Sequence, residues 1–234
     1  MNKCVLGWGV VTALLLIAGC ASQVYNTSSL SQPNRFAIVS VTGMTSGLGL
    51  SQAEDTELVT ATAGAIYKEL RQSDRFKLAS PATVKRSHGY RLIQSESTDG
   101  IYTLKVAEGY KKFDATKEGD ALKKLMAELK LTGVIQVQVV YGKQEKSAWM
   151  SGVLPLPVPV SGGLVKGQVS YTITAYNAAD EVIWRDTVTA ATHDSVISVM
   201  GISNVGKLYP ELLDVAQEAT RTALKDLDEK LAAR

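Results

Sequence analysis

Cysteine is almost absent from this chain of 234 residues. The two cysteines are Cys4 and Cys20, so the chain beyond residue 20 has no cysteine for a disulfide, a thiolate nucleophile or a metal site. Histidine is equally sparse: His88 and His193 lie far apart in sequence, whereas a zinc site takes three or four protein ligands. We therefore expect a domain that is held together by its hydrophobic core and has no metal site.

The chain also lacks an excess of either charge. Lys and Arg number 25 and Asp and Glu number 23, and without Lys3 the balance is 24 − 23 = +1. Proteins that bind nucleic acid carry a basic patch or stripe. The sequence has no such basic cluster, so nucleic acid is not expected as a partner.

Sequence signatures of catalysis are missing as well. Residues 201–207 (GISNVGK) have the spacing of a phosphate-binding loop, but Leu208 stands where magnesium coordination needs Ser or Thr. No G-x-S-x-G nucleophile elbow is present, so the sequence contains no recognisable set of catalytic residues for a hydrolase. We expect a protein that is not an enzyme and needs no cofactor.

What the sequence does contain, at its start, is the layout of a signal peptide. Lys3 lies in a short first region, an uncharged apolar stretch covers residues 5–18, and the small residue Gly19 follows. The apolar stretch is shorter than the about 20 residues that a membrane-spanning helix needs. Residues 17–20 (IAGC) resemble the lipobox of bacterial lipoproteins.

The lipobox resemblance implies that residues 1–19 are a signal peptide, and that Cys20 is acylated on its sulfur and on the new amino terminus. Two or more acyl chains hold a protein firmly in a membrane. By resemblance to known sorting rules, the absence of Asp at position 21 favours the outer membrane over the inner membrane. We expect the anchored domain to face the periplasm, with the cell surface as the alternative. The alternatives are an uncleaved anchor, or an ordinary secretory signal followed by a chance cysteine.

Composition and periodicity predict the first half of the domain. Residues 20–34, rich in Ser, Asn, Gln and Thr, are expected to form a flexible tether, with an ordered first strand as the alternative. A single domain is expected over residues 35–234, with an irregular insertion near 87–110. The elements predicted before that insertion are a strand at 36–41, a helix opened by the capping box of Ser51 and Glu54 and ending near 73–74, a strand at 75–78, and a short helix from Pro81.

The second half predicts an antiparallel meander followed by a long helix. The expected elements are a helix capped by Asp120 and stopped by Gly133, strands at 134–141, 168–176 and 181–191, and a last helix from near Pro210. The predicted fold is therefore α/β (α+β), a mixed β-sheet with helices mainly on one face and a long carboxy-terminal helix. Polar alternation in the later strands predicts that part of the other face is wet.

Several segments together resemble a periplasmic α/β fold. These segments are residues 35–41 (RFAIVSV), 69–76 (ELRQSDRF), 131–139 (LTGVIQVQV) and 175–184 (AYNAADEVIW). The fold is that of the amino-terminal domain of the Tol translocation protein, the lipoprotein activators of peptidoglycan synthases and the curli secretion channel lipoprotein. The resemblance covers roughly residues 35–80 and 115–233, and Asp74 stands where many relatives have Gly.

Two stretches without a charged residue stand out within this pattern. Residues 147–165 contain three prolines, which rule out a regular helix. Residues 195–206 begin shortly after the last predicted strand, which ends at residue 191. In an up-down-up meander both stretches leave the same end of the sheet, where they are expected to form one contact patch for a partner or a membrane. The alternative is that they line the core beneath the last helix. The candidate contact residues are Trp149, Met150, Val153, Leu154, Leu156, Val158, Val199, Met200 and Ile202.

These observations leave two main functions open. A third, an envelope hydrolase, has no recognisable set of catalytic residues in the sequence. The first is a non-enzymatic outer-membrane lipoprotein that binds or assembles a partner protein in the cell envelope. The second is a homo-oligomeric secretion pore, as the resemblance to the curli channel implies. Residues 195–206 are too short for two barrel crossings of about 9–11 residues each, and prolines fit badly in a strand ladder, so the binder is favoured.

Overall fold

The computed structural model describes residues 23–30, 34–45, 48, 50–96, 102–104, 119–148, 162–194, 196–199 and 205–233. Its strands are β1 (Gln23–Val24), β2 (Asn34–Met44), β3 (Phe76–Leu78), β4 (Tyr102–Leu104), β5 (Gly133–Ala148), β6 (Gly162–Asn177), β7 (Val182–Ala191) and β8 (Val196–Val199). Its helices are α1 (Gln52–Gln72), α2 (Pro81–Arg86), α3 (His88–Glu96), α4 (Gly119–Leu129) and α5 (Tyr209–Ala232).

The strands form one mixed sheet. Its order is β1-β7-β6-β5-β2-β3, with β4 also paired to β2 and β8 also paired to β6. The pairs of β2 with β3, β4 and β5 are parallel, whereas β5, β6 and β7 form an antiparallel meander. The predicted α/β class, the late meander and the long carboxy-terminal helix are confirmed.

The main core lies between the sheet and the two long helices, α1 and α5. Alternate residues of β5 point into it because side chains of a strand alternate between the two faces of a sheet. Ile135, Val137, Val139 and Tyr141 are all buried there. The predicted apolar stripe of α5 packs against the same face, with Leu212, Ala216, Ala219, Ala223 and Leu227 buried and Leu224 and Leu231 half-buried.

A second, smaller core covers part of the opposite face. It contains Ala37 and Val39 of β2, Val134 of β5, and side chains from the three short helices α2, α3 and α4. A register shift between Ile38 and Ser40 marks a β-bulge. The bulge leaves both Ile38 and Val41 on the side of the main core. The long helices therefore share one face, and the short helices cover the end of the other.

The region predicted as an irregular insertion at 87–110 contains regular structure where it is described. Helix α3 occupies residues 88–96, and β4 adds a parallel strand beside residues 41–43 of β2. The side chain of Glu128 on α4 accepts hydrogen bonds from the backbone N–H groups of His88 and Gly89 and so supplies partners for the start of α3. Because that carboxylate lies 40 residues away in sequence, local pattern did not reveal the helix.

Both predicted ends of α1 are confirmed, whereas both predicted ends of α4 need correction. The capping box of Ser51 and Glu54 is present, and α1 ends at Gln72 with Ser73 as its C-cap. Asp120 lies in the first turn of α4 rather than before it. Helix α4 ends before Lys130, which adopts a left-handed backbone with φ 51°, and Gly133 begins β5 instead of stopping the helix.

The expectation of a flexible tether over residues 20–34 is wrong for residues 23–30. Strand β1 pairs antiparallel with β7, and the backbone N–H groups of Tyr25 and Asn26 both donate to the carbonyl oxygen of Ile183. Leu30 is 2% exposed and belongs to the main core. The backbone groups of β7 provide partners for this segment, and its apolar residue gains burial.

None of the helices in the described ranges combines the length and the apolar character that crossing a membrane requires.

The close contact between α3 and α4 gives a matched test. A Cβ atom on Gly89 would lie 2.3 Å from the backbone N of Leu125, whereas one on Gly64 of α1 would meet nothing within 4 Å. Gly89→Ala should therefore destabilise the domain by about 1–3 kcal/mol through overpacking. Gly64→Ala should stabilise it by about 0.4–1 kcal/mol, because Ala restricts the unfolded chain and favours helix. Urea unfolding measures both, and equal effects would contradict the proposed close packing of α3 on α4.

Candidate functional site

Most of the predicted contact residues lie outside the described ranges. Trp149, Met150, Val153, Leu154, Leu156 and Val158 precede residue 162, and Met200 and Ile202 follow β8. Val199 is the last residue of β8, where it pairs with Gly162 of β6. Their contact role stays a prediction, but the structure shows how the chain on either side of them is arranged.

Strands β5 and β6 continue well beyond the body of the sheet. The register of β2 with β5 ends at Met44 and Val140, while β5 and β6 stay paired as far as Ala148 and Gly162. Strand β8 pairs antiparallel with residues 162–165 of β6. We call residues 142–148, 162–167 and 196–199 the ribbon.

The ribbon brings the two uncharged stretches of the sequence together. Leu164 of the first stretch pairs with Ile197 of the second, and Val165 pairs with Val196. The meander predicted that both stretches leave the same end of the sheet, and their described parts are indeed neighbouring strands. Residues 196–199 form a strand, β8, which the sequence pattern does not indicate.

The two faces of the ribbon differ in exposure. Val165 is buried in the main core and Val196 packs against it, so these residues line the core as the alternative interpretation expected. Leu164, which points to the other face, is 47% exposed. The described parts of the stretches are therefore divided between core lining and an exposed face.

The loop that leads into β8 is held by polar contacts with α5 and β6. The carboxylate of Glu211, in the first turn of α5, accepts hydrogen bonds from the backbone N–H groups of His193 and Asp194. Lys166 Nζ donates to the carbonyl oxygen of His193 at 2.8 Å, and the N–H of Gly167 donates to Thr192 Oγ1 at 3.0 Å. These bonds place the start of β8 relative to α5.

A second feature is a charged groove between the carboxy-terminal end of α1 and α5. Glu69 on α1 is only 6% exposed and accepts hydrogen bonds from the guanidinium of Arg221 at 2.9 and 3.1 Å. The side-chain amide of Gln217 donates to the same carboxylate at 2.5 Å. Nearby, Arg75 forms an ion pair with Asp228 of α5.

The surroundings of Glu69 make it a structural carboxylate. The Arg221 hydrogen bond lowers the pKa of Glu69 from its ordinary value of 4.5, burial opposes this shift, and the Gln217 bond adds to it. Both carboxylate oxygens have donors, so Glu69 is poorly suited to accept a proton from a substrate. Glu69 lies three residues after buried Ile66, on the apolar side of α1, and this spacing is the signal in the sequence that could have indicated its burial.

Buried phenols belong to the core rather than to a reactive site. Tyr141 shares a hydrogen bond with Thr62 of α1, and burial raises the pKa of its hydroxyl. Burial also raises the pKa of Tyr171, and the negative charge of Asp186 adds to the effect. Both phenols therefore stay protonated at physiological pH, where they cannot serve as anionic bases.

The remaining sequence candidates are dispersed. Within the described ranges, no three His, Cys, Asp or Glu side chains are grouped so that they could hold a metal ion. His88 begins α3 and His193 lies between β7 and β8, and both are exposed. Leu208 stands where a phosphate-binding loop has the Ser or Thr that coordinates magnesium, and its side chain is buried.

Comparisons with known proteins find similar solved structures. No protein-family model and no curated protein matches the sequence. One similar structure is the LpoB C-terminal domain from Salmonella enterica, with a TM-score of 0.34, 11% identity, and coverage of 68% of this chain and 83% of that chain. Another, described as a neuraminyllactose-binding hemagglutinin homologue from Helicobacter pylori, has a TM-score of 0.41, 7% identity, and coverage of 87% of this chain and 94% of that chain. At these scores the likenesses carry no argument about function.

The lowered pKa of Glu69 predicts a dependence of stability on pH. A carboxylate whose pKa is lower in the folded state stabilises the fold above its unfolded pKa, and this contribution is lost as the pH falls through the folded value. We expect Glu69→Gln to reduce stability at pH 7 and to flatten the loss that the unchanged protein shows below about pH 4.5. Urea unfolding midpoints between pH 7 and pH 3 measure this.

The control for Glu69 is Asp214→Asn, which changes an exposed carboxylate of α5. It should leave both the midpoint at pH 7 and the acid slope nearly unchanged, because exposed charges contribute little. Identical acid slopes for Glu69→Gln and the unchanged protein would contradict the structural role of the Glu69–Arg221 pair.

Proposed function

We propose that this chain is a non-enzymatic lipoprotein, anchored by lipid on Cys20 in the bacterial outer membrane and facing the periplasm, that binds a partner protein of the cell envelope. The lipobox-like residues 17–20 and the absence of Asp at position 21 support the anchor and its location. The observation that carries partner binding is the pairing of residues 162–165 with 196–199, which joins two uncharged stretches on one ribbon.

The geometry of the ribbon favours a contact surface over a reactive site. The ribbon extends beyond the body of the sheet, and Leu164 is exposed on one of its faces. Protein interfaces are enriched in aromatic residues and Met and depleted of charge. Residues 149–161, which follow β5 and precede β6 in the sequence, have such a composition, with Trp149, Met150 and no charged residue.

Glu128 and Glu211, in contrast, accept hydrogen bonds from backbone N–H groups, Glu69 forms an ion pair, and both histidines are exposed and far apart. Asp186 is buried beside the phenol of Tyr171 and accepts a hydrogen bond from the backbone N–H of Thr187.

A homo-oligomeric secretion pore is the second candidate, and one observation favours it. The outer part of β5 pairs with β6 and, within the described residues, with no other strand. Its other edge has backbone groups that a neighbouring copy could pair with. A stable ring of the protein in detergent would favour the pore, whereas a co-purified envelope protein would favour the binder. Crosslinking in intact cells, followed by identification of the captured protein, separates them most directly.

The proposed anchor predicts the behaviour of one substitution. Cys20→Ala removes the sulfur that would carry the lipid and should release the domain from the membrane fraction. The unchanged protein should fractionate with the outer membrane, and mass spectrometry of its amino-terminal peptide should show cleavage before Cys20 and acylation. A soluble, unacylated mature protein would exclude the lipoprotein function.

The proposed contact role predicts that two apolar residues matter for association more than for folding. The double change Trp149→Ala with Leu154→Ser should alter the free energy of unfolding by no more than about 1 kcal/mol, since surface changes usually cost about 0.5 kcal/mol each. It should nevertheless weaken capture of the partner, because aromatic anchors dominate interfaces. Urea unfolding and crosslinking yield in cells measure the two effects.

Ile135→Ala is the matched core control for this double change. Ile135 is fully buried beneath the helices, so its truncation should cost about 2–5 kcal/mol. If the double change costs as much as the core control, residues 149 and 154 are core lining and the contact site is refuted.

A further inference from the structure

We propose that the edge of the sheet formed by β1 and β7 faces the lipid surface that holds the acyl chains of Cys20. This inference rests on the proposed lipidation and adds the orientation of the domain. It identifies the membrane, rather than a protein, as what covers this edge.

The chain between Cys20 and the sheet is short. Cys20 precedes Gln23, the first residue of β1, by three residues. A fully extended chain covers at most about 3.3–3.6 Å per residue, so Gln23 lies within about 10 Å of the Cys20 backbone. A linker this short keeps the start of β1 close to the membrane surface.

Strand β1 is firmly attached to the domain. Gln23 pairs with Arg185 and Val24 pairs with Trp184, a buried residue of the main core. The two N–H groups that bond Ile183 and the burial of Leu30 extend this attachment beyond β1 itself. The lipid therefore holds one edge of the sheet, because the segment after Gln23 is part of the folded domain.

The edge of the sheet beside β1 carries an exposed aromatic side chain. Tyr25 directly follows β1, and it is 55% exposed. Leu164, the other large hydrophobic residue that is exposed among the described residues, lies between β5 and β8 and belongs to the ribbon rather than to this edge.

The side chain of Tyr25 suits a lipid surface. Tyrosine is enriched at the boundary between membrane and water, where its ring meets apolar groups and its hydroxyl meets water. The hydroxyl of Tyr25 donates to the side chain of Gln23, and both residues are exposed. The sheet edge that carries Tyr25 is also the edge nearest to Cys20.

The opposite edge of the sheet provides a built-in reference. Strand β3 lies five strand positions from β1 and four from β7 in the sheet order, which at about 4.8 Å per position is about 24 Å and about 19 Å. Lys77 of β3 is exposed, as is Thr189 of β7. A probe at Thr189 should therefore lie much closer to the lipid than a probe at Lys77.

The test uses the full lipoprotein, purified from membranes, with Thr189→Cys or Lys77→Cys labelled by an environment-sensitive fluorophore. The mature chain has no cysteine except Cys20, whose sulfur is blocked by the lipid. Vesicles of phosphatidylethanolamine and phosphatidylglycerol carry a nitroxide quencher on a headgroup. We expect severalfold stronger quenching at Thr189 than at Lys77, because nitroxide quenching is short-ranged.

A spacer variant tests whether the short linker causes this difference. Twenty Gly and Ser residues inserted after Ala21 give a flexible reach of about 25 Å and should bring the quenching at the two probes close together. Equal quenching without the spacer, or stronger quenching at Lys77, in protein shown by mass spectrometry to be acylated overturns the orientation and leaves the lipoprotein function standing. Absence of acylation on Cys20 refutes the lipoprotein function itself, and the orientation with it.

Discussion

The structure depends on the central position of β5. One edge of this strand pairs in parallel with β2, and the other pairs with β6 along all of its residues. Its alternate side chains, from Ile135 to Tyr141, form the floor on which α1 and α5 pack. Beyond Val140 the same strand leaves β2 and continues into the ribbon, so the core and the candidate contact surface share one continuous backbone ladder.

Polar contacts between distant segments then fix the helices on this floor. Arg221 and Gln217 of α5 hold Glu69 of α1, and Glu211 of the same helix holds the loop before β8. Helix α5 therefore links the charged groove, the main core and the ribbon. Each of these carboxylates has donors for its oxygens, which is the condition under which a partly buried charge is compatible with a stable fold.

Local pattern predicted those elements whose signals are contained in a few adjacent residues. The capping box of Ser51 and Glu54, the alternation in β5 and the stripe of α5 all encode their structure through spacing alone. Three elements lack such signals. Strand β1 has only two residues and β8 has four. The first backbone N–H groups of α3 donate to Glu128, which belongs to another helix. Each of them forms because a distant segment supplies hydrogen-bond partners, which no local window contains.

The sequence alone determined the fold class, because periodicity encodes which faces of strands and helices are apolar, and it defined the lipobox-like segment and the two uncharged stretches. Only the tertiary structure decided that residues 162–165 and 196–199 become neighbouring strands, that Glu69 is buried between two helices, and that residues 23–24 pair with β7. The physical reason is that these outcomes require partners far away in sequence, whose positions are set only when the sheet assembles.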